Sequence, residues 1–127
     1  MTEIFFDGSC SSGMMGIGLV VVQDGVEERN ESFFAGIGDS NLAEWMAFAN
    51  ALKAARNIRR ESRTEQIVLK TDSKNVINQF KGRSRVVIGD VVRRSIILAS
   101  QLPDLRVTWI RSEKNLADQY AKAGLRN

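Results

Sequence analysis

The sequence predicts an α/β domain in which helices cover both faces of a five-stranded mixed sheet. Two observations support this fold class. The first third of the chain alternates β-rich runs with turn signals, and the spacing of apolar residues then changes from that of strands to that of helices. The rest of the chain alternates strands with helices, which is typical of a mixed sheet with helices packed against it.

The first three predicted elements are strands in an antiparallel meander. They cover residues 3–7, 16–23 and 26–34. Gly8 and Ser9 are expected to close the first strand, and Gly36 to help end the third. Between the second and third strands, Asp24-Gly25 is a strong signal for a two-residue hairpin.

The remaining elements are predicted to be four helices and two strands. Asn41 is a suitable N-cap, and apolar residues recur at helical spacing from there to about Arg59. Gly82 is expected at the end of the second helix. The predicted helices cover residues 41–59, 73–80, 89–101 and 115–125, and the predicted strands cover 65–71 and 105–110.

Composition indicates one soluble domain, residues 1–127, with 43% hydrophobic and 26% charged residues. The longest strongly apolar run, residues 17–22, is too short to span a bilayer, and residues 1–4 lack the features of a signal peptide. Cys10 is the only cysteine, so it cannot form an internal disulfide. We therefore expect a cytoplasmic monomer that does not bind membranes.

Charge is distributed unevenly along the chain. Residues 1–52 contain one Arg and eight acidic residues, a net charge of −7, whereas residues 53–127 carry a net charge of +10. A basic half indicates a polyanionic partner, although a segregated solvated surface would give the same pattern. The chain contains no histidine, which excludes histidine-ligated metal sites and Ser-His or Cys-His catalysis.

Four acidic residues occupy positions that together suggest a metal site. Asp7 ends the first predicted strand, Asp72 follows the fourth, and Glu44 and Asp118 lie in the predicted first turns of helices. Singly, such residues commonly form turns or complement a helix dipole. If strands 1 and 4 are adjacent and parallel, however, Asp7 and Asp72 meet at one sheet edge. Clustered carboxylates without His or Cys suit Mg²⁺ or Mn²⁺, and two such ions can support in-line phosphoryl displacement.

Four segments of the chain, in order, resemble those of type 1 ribonucleases H (ribonuclease HI), and they span residues 4–125. They are FDGSCSSG at 6–13 with GIG at 16–18, NLAE at 41–44, TDS at 71–73, and WIR at 109–111 followed by NLAD at 115–118. The resemblance implies a ribonuclease H-like fold. It also implies that Asp7, Glu44, Asp72 and Asp118 bind two Mg²⁺ or Mn²⁺ ions and are the catalytic acids.

The resemblance also implies a substrate, the RNA–DNA hybrid, whose RNA strand would be cut to leave 3′-hydroxyl and 5′-phosphate ends. Its minor groove would be read through 2′-hydroxyls. The residues that match substrate-binding positions are Gly8, Ser9, Cys10, Ser40, Asn41 and Ser73. Three of them have ordinary alternatives, because Asn41 can cap a helix, Ser9 can form a turn and Cys10 can be a packing residue.

Two departures from the best-known bacterial members concern substrate handling. In place of a basic helical protrusion, the chain has a short turn with Lys81, Arg83 and Arg85, which we expect to contact substrate phosphates unless it is only solvated. The loop before the last acid, residues 111–114, lacks the histidine of those members and resembles that of archaeal-like ones. Arg111 in this loop is expected to hold the scissile phosphate, unless it simply ends the preceding strand.

The sequence is also compatible with other functions of this fold. A domain of the same fold can bind nucleic acid without catalysis, and reverse transcriptases carry a ribonuclease H domain. Exonucleases and integrases of the wider superfamily space their acids differently. Retention of all four acids favours an enzyme, and fold alone does not decide among these functions.

Overall fold

The computed structural model describes residues 1–85 and 89–126. Its strands are β1 (Thr2–Ser11), β2 (Met14–Gln23), β3 (Val26–Ile37), β4 (Ile67–Thr71) and β5 (Arg106–Trp109). Its helices are α1 (Ser40–Glu61), α2 (Lys74–Phe80), α3 (Asp90–Ser100) and α4 (Asp118–Gly124), with a 3₁₀ turn at Ser112–Lys114. The five strands form one sheet in the order β3-β2-β1-β4-β5, which confirms the predicted fold class.

Two tight hairpins form the antiparallel meander. Asp24 and Gly25 have φ values of 49° and 82°, as the predicted two-residue hairpin requires. Ser12 and Gly13 form a second turn of this kind, with φ values of 52° and 78°. Because this turn follows Ser11, the prediction that β1 closes at Gly8 and Ser9 is wrong.

Both β1 and β3 are longer than predicted, because their ends pair with β2. The end of β1 pairs with the start of β2 as far as Ser11 opposite Met14. Met14 also pairs with Ile37 of the strand on its other side, so β3 continues past Gly36 instead of ending there. Met14 and Ile37 lie far apart in sequence, so no local signal reports their pairing. The glycine signals therefore predicted ends for β1 and β3 that are too early.

Only the first part of β1 pairs with β4, and the two strands are parallel. It begins with Thr2 opposite Ile67 and ends with Phe5 opposite Lys70. Asp7 therefore lies within β1 but beyond the last residue that pairs with β4. Because β1 and β4 are adjacent and parallel, Asp7 and Asp72 lie at the same edge of the sheet, as the sequence predicts.

Helix starts differ from the predicted ones. Asp39, and not Asn41, caps α1, since its carboxylate accepts a hydrogen bond of 2.8 Å from the Leu42 amide. Glu44 is consequently the fifth residue of α1 and lies outside its first turn. Asp118 does lie in the first turn of α4, which begins three residues later than expected, after the 3₁₀ turn.

Helices cover both faces of the sheet. On one face, Trp45 and Phe48 of α1 pack in the main core with residues of α2 and α3. On the other face, α4 lies directly against β2, because a Cβ at Gly18 would come within 2.4 Å of the Ala117 carbonyl oxygen. Gly18 is the β2 residue opposite Asp7, so this close contact brings α4 to the acidic edge. Across the described ranges, no helix is long and apolar enough to span a membrane.

Candidate active site

Four structural elements bring the predicted acids together at one edge of the sheet. Asp7 comes from β1, Glu44 from α1, Asp72 from the residue after β4, and Asp118 from the start of α4. Asp72 and Asp118 both lie close enough to Asp7 to raise its pKa. Glu44 interacts electrostatically with Asp72. The structure therefore places all four residues in one cluster, which we call the acidic cluster.

The acidic cluster holds more negative charge than its surroundings neutralise. Asp7 is only 9% exposed, and burial, followed by the charge of Asp72 and contact with Asp118, raises its pKa to about 8. Burial also raises the pKa of Glu44, and Asp72 adds to this effect, while a hydrogen bond from Ser73 opposes it. Lys122 lies 3.0 Å from Asp118, which raises the pKa of the lysine. One exposed lysine is the only cation that pairs with these acids among the described residues.

Asn115 connects the chain segments that carry three of the acids. Its amide nitrogen donates to the Phe6 carbonyl oxygen at 3.0 Å and to Asp72 Oδ1 at 2.7 Å. Its amide oxygen accepts from the Ala117 backbone at 3.1 Å. The Phe6 carbonyl lies one residue beyond the paired part of β1 and β4, so Asn115 extends the hydrogen bonding of the sheet at that point. Sequence reasoning placed Asn115 in the last motif without identifying this role.

Ser73 holds Glu44 in place. Its hydroxyl donates to Glu44 Oε2 at 2.7 Å and accepts from the Val76 amide at 3.2 Å, which caps α2. Its own amide donates to the Thr71 hydroxyl at 3.1 Å. Both polar groups of the buried Ser73 are thus engaged within the protein. This arrangement gives Ser73 a positioning role, and the substrate contact that the motif predicts stays a prediction.

Trp109 supports Asp72 from the neighbouring strand. Its indole nitrogen donates to the Asp72 carbonyl oxygen at 3.1 Å. Lys74 Nζ lies 4.9 Å from the centre of the Trp109 ring, within the range of a cation–π contact. The sequence marks Trp109 only as part of a motif. Its contact with Asp72 follows from the parallel register, which places Trp109 opposite Thr71.

Gly8 allows β1 and α1 to approach each other beside the acids. A Cβ at this position would lie 2.3 Å from the Ala43 carbonyl group and 2.6 Å from the Glu44 amide nitrogen. Backbone atoms cannot yield at such distances without moving the helix. Gly8 thus sets the position of Glu44 relative to Asp7, and its contact with substrate stays a prediction.

The other residues predicted to read the minor groove lie on two adjoining segments. Ser9 and Cys10 are near the end of β1, and Ser40 and Asn41 open α1. Cys10 Sγ lies 3.4 Å from the Gly38 carbonyl oxygen, which joins the two segments. Asn41 Oδ1 is buried and has no hydrogen-bond partner among the described residues. These positions agree with one continuous surface, and substrate contact there stays a prediction.

The donor set of the acidic cluster fits a divalent cation. In residues 1–85 and 89–126, no three His, Cys, Asp or Glu side chains already stand close enough together to hold an ion. Asp72 and Asp118 are instead engaged by Asn115 and Lys122. The available ligands are nevertheless all carboxylate oxygens, which Mg²⁺ and Mn²⁺ prefer. The raised pKa of Asp7 reflects negative charge that a cation would offset.

Comparison with known proteins identifies the family. The family model for RNase H matches residues 1–125. The chain belongs to the RNase H family. As the sequence predicts, this RNase H is therefore a nucleic-acid hydrolase. Its acidic cluster lies within the matched range, so the cluster is the candidate active site of the enzyme.

Solved structures share the fold of this RNase H over nearly its whole length. RNase H1 from the archaeon Halobacterium salinarum is 26% identical with a TM-score of 0.83, and the match covers 98% of this chain and 97% of that one. The N-terminal RNase H domain of Rv2228c from Mycobacterium tuberculosis is 24% identical, with a TM-score of 0.85 and coverages of 98% and 93%. LC11-RNase H1, solved in complex with an RNA/DNA hybrid, is 22% identical, with a TM-score of 0.85 and coverages of 99% and 97%. Comparison with curated protein sequences gave no significant match.

The basic residues predicted to contact substrate remain exposed in this RNase H. Lys81, Arg83 and Arg85 follow α2, and none forms an ion pair with another described residue. Gln79 ties this turn to α1, because it accepts from the Trp45 indole at 2.7 Å and donates to the Arg85 carbonyl oxygen at 3.4 Å. The turn therefore presents three charges from an anchored backbone.

The loop after β5 begins at the acidic edge. Arg111 follows Trp109 by two residues, and its side chain is 74% exposed, 4.0 Å from Glu113. Such a weak surface ion pair leaves the guanidinium available to a phosphate. Its contact with substrate stays a prediction.

Proposed function

We propose that this RNase H hydrolyses the RNA strand of RNA–DNA hybrids, with two Mg²⁺ or Mn²⁺ ions held by Asp7, Glu44, Asp72 and Asp118. The products would carry 3′-hydroxyl and 5′-phosphate ends. The observation that carries the proposal is the gathering of these carboxylates at one edge of the sheet in a domain of this family, and the raised pKa of Asp7, about 8, is a consequence of it. A site that is so negative requires protons or cations, and at physiological pH divalent cations are the suitable partners.

The residues around the acidic cluster are arranged to fix the ligands. Ser73 holds Glu44, Asn115 and Trp109 hold Asp72, and Lys122 pairs with Asp118. When bound, the cations would stabilise the attacking water and the leaving oxygen of an in-line displacement. Because Asp7 must lose its proton to become a ligand, metal affinity should increase with pH up to about 8.

Substrate recognition is proposed to use the surface formed by the end of β1 and the start of α1. A hybrid differs from other duplexes by having 2′-hydroxyls on one strand only, in a wide and shallow minor groove. Asn41 opens α1 on this surface, and an amide side chain there can exchange a hydrogen bond with a 2′-hydroxyl. Lys81, Arg83 and Arg85 would contact phosphates. The hybrid found with LC11-RNase H1 supports this substrate class.

The experiment that tests the proposal compares labelled RNA–DNA hybrid with duplex RNA, duplex DNA and single strands. Each is incubated with Mg²⁺, with Mn²⁺ and with chelator, using the wild type, Asp72→Asn and the control Asp90→Asn, an exposed acid at the start of α3. We expect only the hybrid to be cleaved, only with metal, and only by the wild type and the control. Product ends are identified by mass spectrometry.

Particular outcomes would contradict separate parts of the proposal. Equal cleavage in chelator would exclude metal dependence, and wild-type activity in Asp72→Asn would remove Asp72 from the ligand set. Cleavage of duplex RNA at the hybrid's rate would overturn the substrate assignment. A rate that rises only linearly with Mg²⁺ at low concentration would favour one ion over two.

A further inference from the structure

Four arginines lie together at the end of α1. They line a cleft of about 340 Å³ with Gln101 and Leu102, and they are Arg56, Arg59, Arg60 and Arg63. Within a helix, residues three, four and seven positions apart project from the same side, which explains why α1 presents these side chains together. We call this surface the arginine cleft.

Most of the positive charge in the arginine cleft is not neutralised within the described part of the chain. Arg59 pairs with Asp104 at 2.7 Å, and no ion pair is formed there by Arg56, Arg60 or Arg63. The described residues that line the cleft include no acid. The neighbouring depression adds Arg106 beside Arg59 and Asp104. The described residues that line the two depressions therefore include five guanidinium groups and one carboxylate.

Two donors in the arginine cleft lack acceptors. The Nε atoms of Arg56 and Arg59 are buried and make no hydrogen bond to any described residue. Buried polar groups are nearly always paired, so an unpaired charged donor indicates a missing partner. Guanidinium groups match phosphate oxygens in charge and in two-pronged geometry. The chemistry of the cleft is thus that of a phosphate site.

The arginine cleft is separate from the acidic cluster. Glu44 and Arg59 are both on α1 (Ser40–Glu61), and their positions in the helix place them about 22 Å apart along its axis. The cleft also has no residue in common with the acidic cluster or with the predicted substrate-binding residues. A ligand held there would occupy a second surface of the protein.

We propose that the arginine cleft binds backbone phosphates of a nucleic-acid strand, as a second contact outside the catalytic surface. From Arg56 to Arg63 the charges extend over about 10 Å, which exceeds one phosphate and suits successive phosphates of a strand. This proposal does not depend on the catalytic function, because it concerns binding without metal or cleavage.

The test compares two variants that each lose three positive charges. R56Q/R60Q/R63Q changes the arginine cleft but keeps Arg59 and its partner Asp104. R29Q/K53Q/R126Q is the matched control on other surfaces. Binding of a fluorescent single-stranded DNA of about 12 nucleotides is measured by anisotropy in chelator at several salt concentrations. Thermal unfolding confirms that both variants are folded, and single R60Q and R63Q variants replace the triple variant if it is not.

We expect the cleft variant to bind at least about fivefold more weakly than the control, with a salt slope smaller by about 1 to 2, as for loss of two or three phosphate contacts. Equal binding by the two variants would overturn the proposal. In the wild type, the NMR signals of the Arg56 and Arg59 Nε–H groups should shift and saturate with DNA. Unmoved signals would contradict binding in the cleft. Saturation by inorganic phosphate at the same phosphate concentration as DNA would overturn a nucleic acid as the occupant in favour of a small anion.

Discussion

The metal-free protein is expected to lose stability as the pH rises through the neutral range, because of Asp7. The pKa of Asp7 is about 8 in the folded protein, against a reference value of 3.8. Between these values the folded chain binds a proton that the unfolded chain does not, so the free energy of unfolding falls as the pH rises. From about pH 5.5 to about pH 7.5 this amounts to roughly 2–3 kcal/mol, or about 10 °C in melting temperature for a chain of this size.

Other shifted groups do not oppose this trend in the same window. The pKa of Glu44 is also raised, which acts in the same direction. The raised pKa values of the N-terminal amine and Lys122 start from 8.0 and 10.5, so the stabilisation they give is complete below about pH 8. Asp104 has a lowered pKa, and its contribution is lost only below its reference value of 3.8.

The Asp7→Asn variant isolates the effect. It should be more stable than the wild type wherever unfolding ionises Asp7, and this advantage should grow by roughly 2–3 kcal/mol between pH 5.5 and pH 7.5, while cleavage is lost. Urea unfolding in chelator at several pH values measures this, with Asp90→Asn as the control that keeps the wild-type slope. Added Mg²⁺ should restore stability at the higher pH to the wild type only. Parallel pH profiles for the wild type and Asp7→Asn would refute the reasoning.

Three further predictions concern the surroundings of the acidic cluster. Gly8→Ala should push α1 away from β1 and lower cleavage by about 100-fold, with a stability loss of about 1–3 kcal/mol in unfolding assays, and unchanged activity would show that the close approach has no catalytic effect. Replacing Lys81, Arg83 and Arg85 by Ala should raise KM and flatten its salt dependence while kcat stays constant, and an unaltered salt slope would place this turn away from the hybrid. In single-turnover assays, Arg111→Ala should reduce the rate by about 10-fold to 1000-fold, and a wild-type rate would exclude Arg111 from catalysis.

The sequence predicted correctly those elements whose conformation depends mainly on neighbouring residues. Asp24-Gly25 favours positive φ at both positions, and the structure has this turn. The change to helical spacing after residue 41 likewise corresponds to α1. The end of β1 could not be predicted in this way, since Gly8 to Ser11 are held by pairing with β2. The choice of Asp39 over Asn41 as cap was also beyond local reasoning, because both residue types cap helices well.

The acids of the candidate site could be found from sequence, but their supports could not. Asp7 and Asp72 follow apolar strand residues, and their meeting requires only that two strands are parallel neighbours. Asn115 reaches Phe6 across 109 residues of sequence, and no local pattern predicts such a contact. The arginine cleft had only an indirect signal, the basic half of the chain, because the burial of individual Nε atoms depends on tertiary packing.

The link made by Asn115 couples the site to the last helix of the chain. α4 has only seven residues, and a helix of this length is not stable alone in water. It therefore depends on its packing against β2. If thermal fraying detaches this segment, Asp118 leaves and Asn115 releases both Asp72 and the Phe6 carbonyl in the same event. The acids would then disperse while the sheet and α1 stay folded. Heat inactivation should accordingly begin below the global melting temperature, and it should reverse on cooling.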